Sequence, residues 1–201
     1  MNIKHWTYLL IALILTGVIG YWVYEKIDLK SNNKTSRTIG DEIDRFNGVS
    51  VYYNAEVGNV TGRNTAADGY NLGLKYQCVE FVKRYYYEHL NHKMPDSYGH
   101  AKDFFDKNLS DGKQNKRRNL TQYTNPSRTK PKVNDLLVYR GTAFNKYGHV
   151  AIVSKVTKNK IEVIQQNPGP YGKSRVKFTI RKKNGQWEIK NGLIMGWLRK
   201  E

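Results

Sequence analysis

The chain has 201 residues, 39% of them apolar and 25% charged, which allows one domain of moderate core plus accessory segments. With 34 Lys and Arg against 17 Asp and Glu its net charge is +17, a field that draws polyanions: anionic lipid, cell-wall polymer or nucleic acid. The single cysteine, Cys78, excludes an internal disulfide and a cysteine-based zinc site.

Residues 6–24, WTYLLIALILTGVIGYWVY, carry no charge over 19 positions. As a helix they would span roughly 28 Å, close to a bilayer core. Trp6, Tyr8, Tyr21, Trp22 and Tyr24 crowd the two ends, where amphipathic rings favour the headgroup level. The run is long for a signal peptide and TGVIGYW is a poor cleavage site, so residues 1–24 are expected to be one transmembrane helix that anchors the chain. Strict counting of positive charge would put the downstream side in the cytoplasm. Short N-terminal segments commonly stay inside, however, and Glu25 and Asp28 dilute the downstream lysines. The expected location is therefore the bacterial inner (cytoplasmic) membrane, single-pass, with the following domain on the outer side.

Residues 25–45 are polar and free of aromatics, and read as a linker. The domain is expected over 46–201, opening with FNGVSVYYN, a short strand after an Asn-Gly turn. A Gly- and Asn-rich loop over 54–72 follows. From Gln77 to Leu90, Val79, Val82, Tyr86 and Leu90 recur at helical spacing, with Phe81 and Tyr85 widening the stripe. Lys83, Arg84 and Glu88 fall off that stripe, and Cys78 lies in the first turn. A second helix is expected over 101–108. Residues 113–132 form a basic loop with seven Lys and Arg and no acid. Strands are expected at 135–140, 148–156, 160–166, 176–180, 187–189 and 193–198, with Asn184-Gly185 and Asn191-Gly192 as turns. Helices first and a strand meander after predict an α+β domain: N-terminal helices packed on an antiparallel sheet.

A helix N-terminus favours the thiolate of Cys78, and Lys75, Lys83 and Arg84 add positive charge nearby. A nucleophilic cysteine also needs a base. Of five histidines, His149 stands out, because it opens an apolar strand directly after Gly148. A third group should orient its ring. A two-residue turn at Lys158-Asn159 would place Gln166 on the face of His149, whereas a bulge or odd-length loop would place Gln165 and Asn167 there.

YQCVEFVKR, then GHVAIV some seventy residues later, then QQN, resemble the CHAP family (cysteine, histidine-dependent amidohydrolase/peptidase). The resemblance covers about residues 46–198 in order. Within the family it points to the amidase domain of bifunctional glutathionylspermidine synthetase/amidase, whose blocks FNGVSVYYN and IMGWLR resemble. It implies a papain-like cysteine hydrolase fold, amide cleavage through an acyl-enzyme, Cys78 as nucleophile, His149 as base and the Cys78 N–H as an oxyanion donor. The family's usual glutamate falls on Gln165, which can hold the ring by a hydrogen bond but cannot neutralise an imidazolium. Asn167 matches the family's asparagine beside the site.

Three functions are consistent with these residues. One is a surface hydrolase acting on peptidoglycan peptide. Another is an amidase for a glutathione–polyamine conjugate. The third is a non-catalytic wall- or membrane-binding module, for which Gln165 is the best support. Expected partners are the membrane, through the N-terminal helix, and peptidoglycan or another anionic wall polymer. No nucleic acid, metal or cofactor is expected, and the chain is expected to be a monomer.

Overall fold

The computed structural model describes Trp6, Tyr8 and residues 12–18, 37–169 and 172–201. It divides into two units, Met1–Arg37 and Thr38–Glu201. In the first, Trp6, Tyr8 and residues 12–18 are helical. Among the described residues no helix is long and apolar enough to cross a membrane. This corrects the expected transmembrane helix and, with it, the single-pass inner-membrane location; the rest of 6–24 lies outside the described residues.

The second unit is rich in sheet. Its first strands, β1 (Glu42–Phe46) and β2 (Val49–Tyr52), form a hairpin. The turn is Asn47-Gly48, with φ of 47° and 83° as a tight hairpin turn requires. Strand β1 uses residues 42–45 of the stretch read as linker. A second hairpin, β3 (Arg63–Thr65) and β4 (Asn71–Leu74), leads into helix α1 (Cys78–Glu88). After a 3-10 turn at Ala101–Phe104 come β5 (Lys113–Asn115), β6 (Leu120–Thr124), β7 (Leu136–Tyr139) and β8 (His149–Val156). The chain ends with β9 (Lys160–Ile164), β10 (Arg175–Lys183), β11 (Gln186–Ile189) and β12 (Ile194–Arg199). Strands β5–β12 form one eight-stranded sheet in the order β11-β10-β9-β8-β7-β12-β6-β5. Every neighbouring pair in it is antiparallel.

The expected α+β, papain-like arrangement of N-terminal helices on a sheet is thus corrected to a sheet-rich fold. The segment expected to be a second helix closes after one 3-10 turn, where Phe105 returns to an extended φ and ψ of −97° and 123°. The basic loop over 113–132 also contains strands, β5 and β6, which join the sheet edge.

Strand alternation sorts the core. One face of the sheet (Leu136, Val138, Val150, Ile152, Ile164, Leu198) packs with Phe81, Val82, Tyr85 and Tyr86 of α1. The other gathers Leu137, Ala151, Val153, Val163, Ile180, Ile189 and Trp197. Burial of a large apolar side chain contributes about 1.5–3 kcal/mol, so the first cluster holds α1 to the sheet. The helix buries more than its apolar stripe. Glu80, Lys83 and Arg84 are also inside, contrary to the reading that put the two cations off the buried face. Arg84 Nε donates to Glu80 Oε1 at 2.6 Å, and Arg84 Nη2 to Ser50 O at 2.9 Å. Lys83 Nζ donates to Asn71 O and Ser97 O, and burial lowers its pKa to about 8.

Candidate active site

The chain leaves β4 through Tyr76, whose φ of 63° is an unusual left-handed conformation for a bulky residue. That turn aims the first residue of α1, Cys78, at the end of the sheet where β8 begins and β9 ends. Gln77 precedes it in an extended conformation and does not cap the helix. Its Nε2 instead donates to Val57 O (3.0 Å) and Asn59 O (2.7 Å), tying the loop after β2 to the helix start.

His149 is the first residue of β8. Gly148 before it has φ of 76°, and a Cβ there would fall 2.5 Å from Tyr139 O and 2.9 Å from Lys102 Cβ. The glycine therefore lets the 3-10 turn pack against the strand entry, where Lys102 N–H donates to Tyr147 O at 3.0 Å. The ring of His149 packs beside its cross-strand neighbour Tyr139, centroids 5.5 Å apart.

Which glutamine reaches the histidine is decided by a bulge. The β8–β9 turn is the two-residue one, with Thr157 N–H donating to Lys160 O at 2.8 Å, a register that alone would bring Gln166 round. Between Val153 and Lys155, however, the pairing shifts by one residue, from Lys155↔Glu162 to Val153↔Val163 and Ile152↔Ile164. Continued to the strand end, the shifted register sets Gln165 opposite Ala151, on the same face as His149. The side chains meet: His149 Nε2 and Gln165 Oε1 are 3.0 Å apart. Gln165 Nε2 donates to Lys173 O at 2.9 Å, which fixes the amide with its oxygen towards the ring. An amide oxygen only accepts, so Nε2 carries the proton of the neutral imidazole and Nδ1 is left as an acceptor.

Because β9 ends at Ile164, Val150 has no β9 partner. Cys78 packs against the core cluster that contains Val150, the residue that follows His149. Burial pushes the Cys78 thiol up to about 11, against the opposing pull of the Val150, Val79 and Cys78 N–H groups. Burial also pulls His149 down to about 4, opposed by the bond to Gln165. Desolvation therefore outweighs the helix terminus, contrary to the thiolate expected from the sequence. The resting pair is a neutral thiol and a neutral imidazole.

Asn167 does not reach the ring. At φ 51° it donates to Gln77 Oε1 at 2.8 Å and so braces the residue before Cys78. Sequence reasoning weighed Gln166 only as a partner of His149 and missed its place in the interior, where the bulge turns it. Its Nε2 donates to Gln77 O (3.0 Å) and Glu80 Oε2 (2.8 Å), and its Oε1 accepts from Tyr52 N–H (2.7 Å). It joins β2, α1 and the end of β9 in one buried network. The Glu80–Arg84 pair, four residues apart on the helix, was the available signal for it. Among the described residues no group of three or more His, Cys, Asp and Glu side chains could hold a metal ion.

Comparison with known proteins adds to this geometry. The family model for the CHAP domain matches residues 68–167. Trypanothione synthetase from Crithidia fasciculata is 26% identical over 164 residues, covering 79% of this chain and 25% of that protein. Bifunctional glutathionylspermidine synthetase/amidase from Escherichia coli (strain K12) is 28% identical over 138 residues, 63% of this chain and 22% of the relative. The chain thus spans about a quarter of the length of these relatives. Among solved structures, the wild-type endolysin LysIME-EF1 aligns with a TM-score of 0.38 and 19% identity, over 73% of this chain and 59% of the other.

Proposed function

From the premise that this chain carries a CHAP domain, a cysteine- and histidine-dependent amidohydrolase/peptidase unit, over residues 68–167, we propose that it cleaves an amide bond through a thioester on Cys78. The observation that carries the reading is the meeting at the strand ends: Gln165 on His149, and Cys78 packed against the cluster that contains Val150, the next residue after His149. His149 Nδ1 takes the thiol proton as sulfur attacks the carbonyl carbon. The Cys78 N–H, at the helix start, stabilises the oxyanion. Collapse breaks the C–N bond, the departing amine takes the proton from His149, and the acyl group stays on sulfur. Water, deprotonated by His149, then releases the acid and restores the thiol. Gln165 orients the ring throughout, and Asn167 acts at one remove, by positioning Gln77.

The proposed substrate is the peptide amide of peptidoglycan, or of another anionic wall polymer. A net charge of +17 supports it, because such a field concentrates polyanionic material and repels a polyamine conjugate. A second reading, an amidase for a glutathionylspermidine-type conjugate, is favoured by the similarity to the bifunctional synthetase/amidase. Incubating the full chain with muropeptides and, separately, with glutathionylspermidine, and identifying products by mass, decides between them. Two products whose masses sum to that of the muropeptide plus one water support the first. Release of free spermidine supports the second, and no cleavage of either overturns both.

A further inference from the structure

The folded unit is electrostatically lopsided. Residues 38–127, which contain Cys78, hold twelve Lys and Arg against eleven Asp and Glu. Residues 128–201 hold seventeen against four. Nearly all the excess charge of the unit therefore belongs to the later strands, and the few acids there are already engaged. Asp135 is paired with Arg199, Glu162 with Arg175 and Lys177, and Glu188 with Arg181 and Lys190, while Glu201 accepts from Tyr123 OH.

Five of the cations outside these ion pairs gather at one end of the sheet. Lys158 and Lys160 sit on the exposed β8–β9 turn. Lys182 and Lys183 are exposed at the tip of the β10–β11 hairpin, and Lys182 lies opposite Trp187. Lys130 joins the two: its Nζ donates to Thr157 O at 2.9 Å and lies 4.7 Å from the centre of the Trp187 ring. The pairing Thr179↔Lys160, with Ile180 N–H donating to Asn159 O at 2.9 Å, fixes the turn against the hairpin. This is the far end of the sheet from His149. Seven steps along β8 separate His149 from Val156, about 23 Å at the usual strand rise.

We infer that this cationic end of the sheet is a docking surface for a linear, base-free polyphosphate chain. Four lysines on two adjoining turns, with Lys130 bridging them, offer flexible point charges of the kind that bind phosphate. The aromatic ring among them, Trp187, is covered by Lys130 and so is not a free platform for stacking nucleobases. Docking here would hold polymer at one end of the sheet and leave the Cys78 end clear of it. The surface does not depend on the hydrolase reading.

The test measures binding of the full chain to labelled inorganic polyphosphate and, in parallel, to a single-stranded oligonucleotide of equal charge, over a salt series. Parent affinity for polyphosphate should fall steeply with salt, as counterion release demands. The triple variant Lys158→Glu, Lys182→Glu, Lys183→Glu should lose affinity at least about tenfold. The matched control Lys107→Glu, Lys113→Glu, Lys116→Glu, of identical net charge, should lose less than about threefold. Gln replacements at 158, 182 and 183 repeat the measurement with a milder change, should the Glu triple fail to fold. Equal losses in the two triples would show that overall charge, not this surface, does the binding, and would overturn the proposal. Tighter binding of the oligonucleotide than of polyphosphate would overturn the base-free partner. Binding and turnover are read separately, so a chain that docks polyphosphate but cleaves nothing sinks the hydrolase reading alone.

Discussion

Residues 38–127 and 128–201 meet at the active site, but they hold their parts of it by different means. The first half places Cys78 with polar ties. Gln77 is bound by the loop at 57–59, and Glu80 is held by Arg84, Asn64 and Gln166. The second half places His149 and Gln165 with apolar strands whose register does the aiming. A buried polar network fails abruptly when one member is removed, because its partners are left without hydrogen bonds. An apolar strand pair tolerates substitution but not a change of register. The two halves should therefore respond differently to the same kind of perturbation.

The largest effect should come from the group the first half exists to present. Cys78→Ser should lower turnover at least about 10³-fold while leaving the melting temperature near that of the parent. A variant that keeps its activity would remove Cys78 from the chemistry. Next is the seam between the halves. Gln166→Ala leaves Tyr52 N–H unpaired and strips one partner from buried Glu80, and should cost about 2–4 kcal/mol in urea unfolding. A cost below about 0.5 kcal/mol would mean that packing alone joins the halves.

Acid should expose the second half. The folded His149 has a pKa of about 4 against an ordinary 6.5. Between those values the unfolded chain binds a proton that the folded chain refuses, so stability falls as pH drops from about 6.5 to 4. The loss should be on the order of 2 kcal/mol, and His149→Gln should remove it. Unfolding measured at pH 7.5 and 4.5 in both proteins checks the sign. An acid-insensitive parent would mean that the ring is not held neutral by burial.

The smallest change concerns the third residue. Gln165→Ala should lower turnover about tenfold through a misaligned ring, whereas Gln165→Glu should raise the pKa of His149 and shift Cys78 alkylation to lower pH. Alkylation profiles that match the parent in both variants would leave Gln165 without an orienting role.

Much of the second half was legible in the sequence, because the apolar runs of β7 and β8 and the alternation of β9 are short-range patterns. Cys78 at a helix start and His149 at a strand start were likewise visible from local periodicity. Three features were not. The segment at 101–108 has helical composition, but it ends after a single turn once Phe104 and Phe105 are drawn into the core. Lys83 and Arg84 looked solvent-facing because their partners, backbone carbonyls of Asn71, Ser97 and Ser50, are supplied by distant loops. The thiol's raised pKa depends on how deeply tertiary packing seals the helix start, and no local pattern encodes that. Between Gln165 and Gln166 the sequence left an even choice, which the bulge resolved.

That bulge also bears on how related sequences should be aligned. The pairs Val153↔Val163 and Lys155↔Glu162 leave Ser154 without a partner. A descendant that loses Ser154 keeps both pairings, and so keeps the same glutamine beside the histidine. A descendant that loses one residue within β9 instead advances the chain by one position and delivers Gln166 in its place. Length variation is therefore silent on one strand and consequential on the other. The third residue of the site has to be found by counting back from Asn167-Pro168, not forward from His149, because only the backward count avoids the bulge.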